Sequence, residues 1–419
     1  MIVHVVGAGL AGLSAALALA HARAGIRIVV HEAAPHAGGR CRSWNDLRLG
    51  AEIDNGTHAV LGANDAVLHH LTLLGTSDEI HWLPDGPRML WPARGAAWRL
   101  GRPRDLVRAW RQTGGSGVAE LATAFRLALP FGATTVAARF ARDGCLAEAL
   151  WDPLARAVMN TPASLADAGA FARVLRMTLA RGGPAMRMGV ARRSLGKGFV
   201  DPAVARLRAL GAELRFGTRL RAVGLSGAGS TTLIFAGGAV ELRAQDRLIL
   251  ALPPWELDGL MPGLAPRWID SPIVNLHARL ARPPGHAPHG PSMTGLVGTA
   301  AEWVLDRGDL ASVTASAAGD LVGMPATDLA ARLWRDAAPV LGLDTTALPP
   351  AWRIVKERRA TPLQTPCFAA DRKRLLRQPS APILAGDWTV PDLPCTIETA
   401  LQSGTAAAAQ VLAGLVPAA

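Results

Sequence analysis

Apolar and polar positions fall into two periodicities along this chain. Ile2–Val6 is a short run rich in β-branched residues, the pattern of a strand buried on both faces. Gly7–Gly12 interrupts it as a turn, Leu13–Ala24 continues as an Ala/Leu helix stopped by Gly25, and Ile26–His31 is a second strand with Arg27 as its polar interruption. Strand, turn, helix and strand fit into about thirty residues, which predicts a parallel pair joined by a right-handed crossover. From about Trp82 to Met188 the texture changes: Arg, Trp and Leu recur at helical intervals between Pro/Gly breaks (DGPRMLWPARG, GRPRD, RQTGGSG), predicting a mostly helical insertion. Gly211–Val223 and Arg247–Ala251 look like strands returning to the first domain. Trp255–Pro350, with alternating stretches such as PIVNLHARL, predicts a strand-rich excursion, and Ile383–Gly386 with the helix after it completes the first domain. The expected organisation is a discontinuous domain of residues 1–81, 189–254 and 351–419, and a second domain of residues 82–188 and 255–350.

Composition narrows this picture. Half of the 419 residues are hydrophobic and 18% are charged, so the chain is not disordered. The formal charge of +11 favours anionic partners, yet no basic run is interleaved with aromatics, so nucleic acid is not an expected partner. Cys41, Cys145, Cys367 and Cys395 are far apart, with no Cys-x-x-Cys or Cys/His cluster, which predicts neither a metal site nor a disulfide framework and fits a reducing, cytoplasmic location. No apolar run approaches the ~20 residues of a membrane span, so a soluble chain, or one resting on the inner face of a membrane, is expected. The segment Trp98–Gln112 (WRLGRPRDLVRAWRQ) reads equally as a membrane-surface helix or as an ordinary surface helix.

The turn after the first strand reads Gly7-Ala-Gly9-Leu10-Ala11-Gly12. Between a strand and a helix, this pattern binds a dinucleotide. The first glycine makes the turn, the second admits the pyrophosphate, the third lets helix and strand approach, and the helix N-terminus offers free N–H groups. Glu32 closes the second strand where an acid binds a ribose 2′-hydroxyl, which disfavours a 2′-phosphate. NAD and FAD both satisfy this. The following turn Ala37–Ser43 (AGGRCRS) sets Gly39, Arg40 and Arg42 beside the same phosphates, and an added guanidinium clamp favours FAD. Gly50–Gly62 (GAEIDNGTHAVLG) then supplies donors for a flavin edge at Thr57 and His58, with His58 and Asp54 as candidate proton donors. Near the end, LAGDW and VPDLPCTIETALQSG repeat a strand–turn–helix outline around Gly386, Asp387, Thr396 and Ile397. Asp306 and Arg307 look like a structural pair, and Trp303 like a core residue.

Taken together, GAGLAGLSAALAL, GGRCRS, IDNGTHAVLGAN and LAGDWTVPDLPCTIETALQSG resemble the flavin-dependent amine oxidase and desaturase superfamily, and within it the bacterial squalene-associated FAD-dependent desaturases, or hydroxysqualene dehydroxylases. Mid-chain stretches such as ALWDPLARAVMNTPASLADAGAF and TGLVGTAAEWVLDRG extend the likeness over nearly the whole length.

The resemblance implies an α/β fold: a Rossmann-like FAD-binding domain of the amine-oxidase type with an inserted α+β substrate domain. It implies that Gly7, Gly9, Leu10, Ala11, Gly12 and Glu32 hold the ADP half of FAD, with Arg40 and Arg42 near the diphosphate and Leu220 giving backbone contacts to the adenine. Asp387 would meet the ribityl side, and Thr396-Ile397 would aim a helix N-terminus at the flavin N1–O2 edge. The implied reaction is reductive loss of the hydroxyl of hydroxysqualene, with a long apolar isoprenoid as substrate and an external electron donor, since no second Gly-x-Gly-x-x-Gly occurs. Two positions depart from the family pattern: Thr399 stands where relatives often have Gly, and Asn64 where they often have an aromatic residue. A carotenoid-type desaturase, an amine oxidase (poorly served by a chain without Tyr) and a non-catalytic flavin or lipid carrier are the competing readings.

Overall fold

The structure, a computed structural model, describes residues 1–22, 25–100, 103–112, 132–140, 144, 147–179, 181–225, 231–282, 290–376 and 382–414. Cys145, most of the RQTGGSG stretch and part of GRPRD lie outside them.

The opening run forms as its pattern predicts. Strand β1 (Ile2–Val6), helix α1 (Leu10–Ala22) and strand β2 (Arg27–His31) make a βαβ unit with β1 at the centre of a five-stranded parallel sheet. Its other strands are β3 (Glu213–Arg215) beside β2, β4 (Arg247–Leu250) beside β1, and β5 (Ile383–Leu384) at the far edge. Val3, Val5, Leu13, Leu19 and Ile249 are fully buried, as strands covered on both faces require. Gly7 has φ 107°, and a Cβ there would sit 2.2 Å from the Ala251 carbonyl oxygen, so only glycine makes this turn.

The second sheet has seven strands, in the order Ala351–Pro362, Asp270–Arg279, Leu310–Ala315, Trp303–Asp306, Ser292–Leu296, Arg88–Trp91 and Ala96–Arg99. Every pairing is antiparallel except Ser292–Leu296 with Arg88–Trp91. The helix Ala326–Leu341 covers one face through Leu329, Leu333, Trp334 and Ala337. Three expectations are revised. The region after Trp82 contributes two strands before it turns helical. The strand Ala351–Pro362 lies along Asp270–Arg279 in the second sheet, so the boundary at 351 falls too early. In Gly211–Val223 only Glu213–Arg215 joins the parallel sheet, while Leu220–Leu225 opens a separate antiparallel sheet with Thr231–Phe235 and Gly238–Leu242. Register explains these differences: non-local pairing, not local pattern, decides which sheet a short strand joins.

The last helix, labelled α4 (Ile397–Ala413) after α2 (Asp65–Leu74) and α3 (Asp152–Met159), crosses α1 closely. A Cβ on Gly404 would lie 2.2 Å from the Ala11 carbonyl oxygen, and the Ser14 hydroxyl donates to the Leu401 carbonyl at 2.9 Å. The atom facing Gly404 is backbone, which cannot move aside. Gly404→Val is therefore expected to lower unfolding free energy by about 2–4 kcal/mol, read as the shift of the denaturant midpoint; an unchanged midpoint would contradict this crossing.

Candidate active site

Both helix N-termini open on one cavity of about 750 Å³, lined from one side by Gly7, Gly9, Leu10 and Ala11 and from the other by Thr396 and Ile397. Gly9 could carry a Cβ only by projecting it into open space, whereas a Cβ on Gly12 would meet the Gly7 carbonyl oxygen at 1.9 Å. Gly9 thus faces the cavity and Gly12 serves helix–strand packing. Glu32 lines the cavity while its two carboxylate oxygens accept from Ala8 N–H (2.7 Å) and Ala34 N–H (2.8 Å), which ties the acid to the glycine turn. Gly38 N–H donates to the Ala8 carbonyl at 2.8 Å, docking the second turn against the first, and Gly39 lies beside Gly9.

Arg40 joins the two ends of the chain. Its guanidinium donates to Asp387 Oδ1 at 2.8 Å and to the Ala360 carbonyl at 2.8 Å. Burial opposes its charge, but the Asp387 carboxylate more than compensates and raises its pKa. Arg42 lines the same wall, donates to the Gly39 carbonyl and lies 3.6 Å from Glu357. Leu220 and Gly386 also line the cavity.

On the closing side Thr396 is the N-cap of α4, in a reciprocal capping box with Thr399. The residue that departs from the family pattern therefore helps to close this helix end, since its hydroxyl accepts from Thr396 N–H at 2.9 Å and donates to the Pro394 carbonyl. Thr57 lines the cavity with a buried hydroxyl that has no hydrogen-bond partner, an orphan that a ligand's polar edge would satisfy. These groups, two helix N-termini and a guanidinium around a glycine-lined cradle, fit an FAD: N–H dipoles and Arg40 suit a diphosphate, and Thr57 with the α4 N-terminus suits a flavin edge.

The two candidate proton donors are placed differently. Asp54 does not line the cavity. Its Oδ1 accepts from Ser43 Oγ (2.6 Å) and Leu195 N–H (2.8 Å), and Oδ2 lies 3.6 Å from Arg307, so its carboxylate is spent on joining chain segments. Arg307 accordingly does not pair with Asp306, which meets Arg282 at 2.9 Å. His58 does line the cavity. Its Nδ1 lies 3.0 Å from the Gly56 carbonyl, which can only accept, so the proton sits on Nδ1 and Nε2 is left as an acceptor. Burial lowers its pKa, with Arg40 adding to the effect against Gly56 and Asp54. At neutral pH this ring is neutral and suited to accept a proton rather than give one.

Three residues have roles here that the sequence did not assign to them. Glu398 reaches from α4 to accept from Ala66 N–H (3.0 Å) and Val67 N–H (2.9 Å), capping α2, so the closing motif also holds the segment after Asn64. Buried Arg372 donates to the carbonyls of Trp388 (2.6 Å), Leu393 (3.1 Å) and Val390, which shapes the loop after Asp387. Trp303, a core residue by its sequence pattern, is buried and also lines the cavity. Cys395 lines it as an inert thiol, its pKa pushed up by burial to about 12.

The profile of the flavin containing amine oxidoreductases matches residues 10–412, and the chain belongs to that family. It is a flavin-dependent oxidoreductase. Among curated proteins it is 38% identical to the hydroxysqualene dehydroxylase of Rhodopseudomonas palustris, covering 98% of each chain, and 34% identical to that of Zymomonas mobilis, covering 97% of this chain and 98% of the other. Among solved structures it is similar in fold to a putrescine oxidase (18% identity, TM-score 0.70, 99% of each chain) and to the cyclohexylamine oxidase of Brevibacterium oxydans (15% identity, TM-score 0.70, 99% of each chain).

Arg40→Met should weaken FAD binding by about 10- to 100-fold, the worth of one charged hydrogen-bonding group, measured by flavin fluorescence on titrating stripped protein. Unchanged affinity would remove Arg40 from the cofactor wall.

Proposed function

We propose that the protein reductively dehydroxylates hydroxysqualene to squalene. The observation that carries this reading is the set of apolar side chains, Leu154, Met159, Leu175, Met177, Met186 and Met188, that wall the same cavity as the helix ends that suit a flavin. The end-to-end similarity to proteins named for this reaction supports it. In this reading Gly7, Gly9, Leu10, Ala11 and Glu32 hold the nucleotide half of FAD, Arg40 and Arg42 its diphosphate, Leu220 the adenine side, and Gly386, Asp387, Thr396 and Ile397 the ring side. Bound FAD, once reduced, supplies hydride to the carbon that loses oxygen.

The chain's own residues bind, orient and dry the substrate. The allylic alcohol ionises to a delocalised cation when its oxygen is protonated, and the thioether and aliphatic wall keeps water from trapping it. Thr57 orients the flavin edge, and the α4 N-terminus favours negative charge beside it. The substrate is a long apolar isoprenoid and the electrons come from an external donor, a free reduced nicotinamide or a partner protein. No described helix is long and apolar enough to cross a membrane. We infer that the chain works in the cytoplasm, with the helix Pro103–Gln112 of the Trp/Arg segment 98–112 resting on an anionic membrane; Trp98 of that segment is buried in the strand Ala96–Arg99 and takes no part in such a contact.

Protein reduced without air and given hydroxysqualene should return to the oxidised flavin spectrum with equimolar squalene by mass. Reoxidation without squalene would overturn the reading, and consumption of a polyene instead would favour the desaturase.

A further inference from the structure

A second cavity of about 680 Å³ abuts the first, and Trp151, Arg156 and Trp303 line both. Its walls mix apolar side chains, Met89, Phe140, Leu296 and Val297 among them, with polar ones that include Glu148, Ser164 and Thr299. At the junction stands Glu302, at the head of the strand Trp303–Asp306 and with its side chain 15% exposed. Its Oε2 accepts from Ser316 N–H at 2.8 Å, and its Oε1 lies 3.6 Å from Arg156. Arg156 is already committed: its Nε donates to Asp152 at 2.8 Å, and Asp320 also acts on its charge. One guanidinium therefore serves two carboxylates and compensates Glu302 poorly. Burial, with Asp152 adding to it, raises the Glu302 pKa to about 7 against the pull of Ser316 and Arg156.

The surroundings fix this group. Asn160, one turn beyond Arg156, lies in the left-handed region (φ 48°), as does Ala317 (φ 47°), and Ala317 N–H donates to Asn160 Oδ1 at 2.6 Å. Asn160 Nδ2 also donates to Thr361 Oγ1 at 3.0 Å, next to the Ala360 carbonyl that holds Arg40. Asn160 thus ties the end of its helix to Ala317, one residue from the Ser316 N–H that orients Glu302.

Resting on the proposed function, we propose that Glu302 is the acid that protonates the departing hydroxyl, with the substrate threaded so that one arm lies in each cavity. Hydroxysqualene carries its hydroxyl near the middle of a long hydrocarbon, and the junction is a charged point between the apolar wall of the first cavity and the Met89, Phe140, Leu296 and Val297 side chains of the second. The Glu302 proton joins the hydroxyl oxygen, the C–O bond breaks with both electrons on oxygen, and water leaves. The carbon's missing electron pair is the hydride already assigned to the reduced cofactor, and solvent restores the proton to Glu302.

The test compares wild type with Glu302→Gln and Glu302→Asp, each loaded with FAD. Glu302→Gln should lose about a hundredfold or more in turnover, and Glu302→Asp should keep an intermediate rate. Wild-type turnover should fall as pH rises through about 7 while the residual Gln rate stays flat. Two readouts do not depend on turnover. A carboxylic-acid C=O infrared band, absent from Glu302→Gln, should shift when hydroxysqualene, but not squalene, is added to oxidised protein. The folded-state pKa lies above the unfolded value, so the Glu302 contribution to stability is present at low pH and lost as pH rises; the wild-type Tm should fall relative to the Gln variant between about pH 5 and 8. If wild type makes squalene and Glu302→Gln keeps its rate within about threefold and its pH profile, the Glu302 assignment falls alone. If wild type makes no squalene, the functional reading falls and takes the acid with it. A band that ignores the alcohol overturns the placement of the substrate.

Discussion

The close crossing of the first and last helices is the constraint on which the rest of this structure depends. Gly404 against Ala11 lets α1 and α4 touch backbone to backbone, and Ser14 pins the contact through the Leu401 carbonyl. Their N-termini, carrying unpaired N–H groups and the positive ends of two dipoles, then converge on one cavity. Arg40, held by Asp387, brings its guanidinium to the same wall. A ligand that binds these N–H groups and the guanidinium binds only the folded chain, so binding and folding stability are coupled.

A second feature is that three segments around the cavity are held by partners from other parts of the chain. Glu32 holds the turn before α1, Glu398 holds the start of α2, and Arg372 holds the loop after Asp387. Asp54, though inside a motif, belongs with this set: it ties Ser43 and Leu195 together and meets Arg307 from the second sheet. A binding site assembled from both ends of a chain needs such ties, because no single local segment contains it.

Legibility in the sequence follows from the same distinction. The glycine turn, Glu32, the GGR turn and the Thr396 cap answer to local backbone geometry, so their spacing alone announces them, and each lines or closes the cavity. The seven-stranded sheet does not announce itself: Arg88–Trp91 finds its parallel partner at Ser292–Leu296, across the whole helical insertion. Arg372 is a single charged residue in an ordinary helical stretch, and Glu398, though inside the closing motif, finds its partners Ala66 and Val67 far away along the chain, so both take their meaning only in three dimensions. Asp54 and His58 stand out in sequence because they sit in a recognisable turn, yet a motif preserves whatever its geometry needs. Here it needs Asp54 as a tie and His58 as a neutral acceptor.

Glu302 illustrates what an acid must satisfy in a site that makes a carbocation. A carboxyl of ordinary pKa is ionised at neutral pH and has no proton to give. One buried without partners keeps its proton but has nothing to aim it. Ser316 N–H orients Glu302, while Arg156, shared with Asp152, stabilises its charge only in part. Once the proton has left, the carboxylate formed beside the cation steadies it electrostatically, and the hydrogen bond from Ser316 together with the nearby guanidinium reduces its tendency to attack carbon. An unpartnered carboxylate would capture the cation as an ester; a fully paired one would not have held the proton. The incomplete ion pair at the junction of the two cavities lies between those limits.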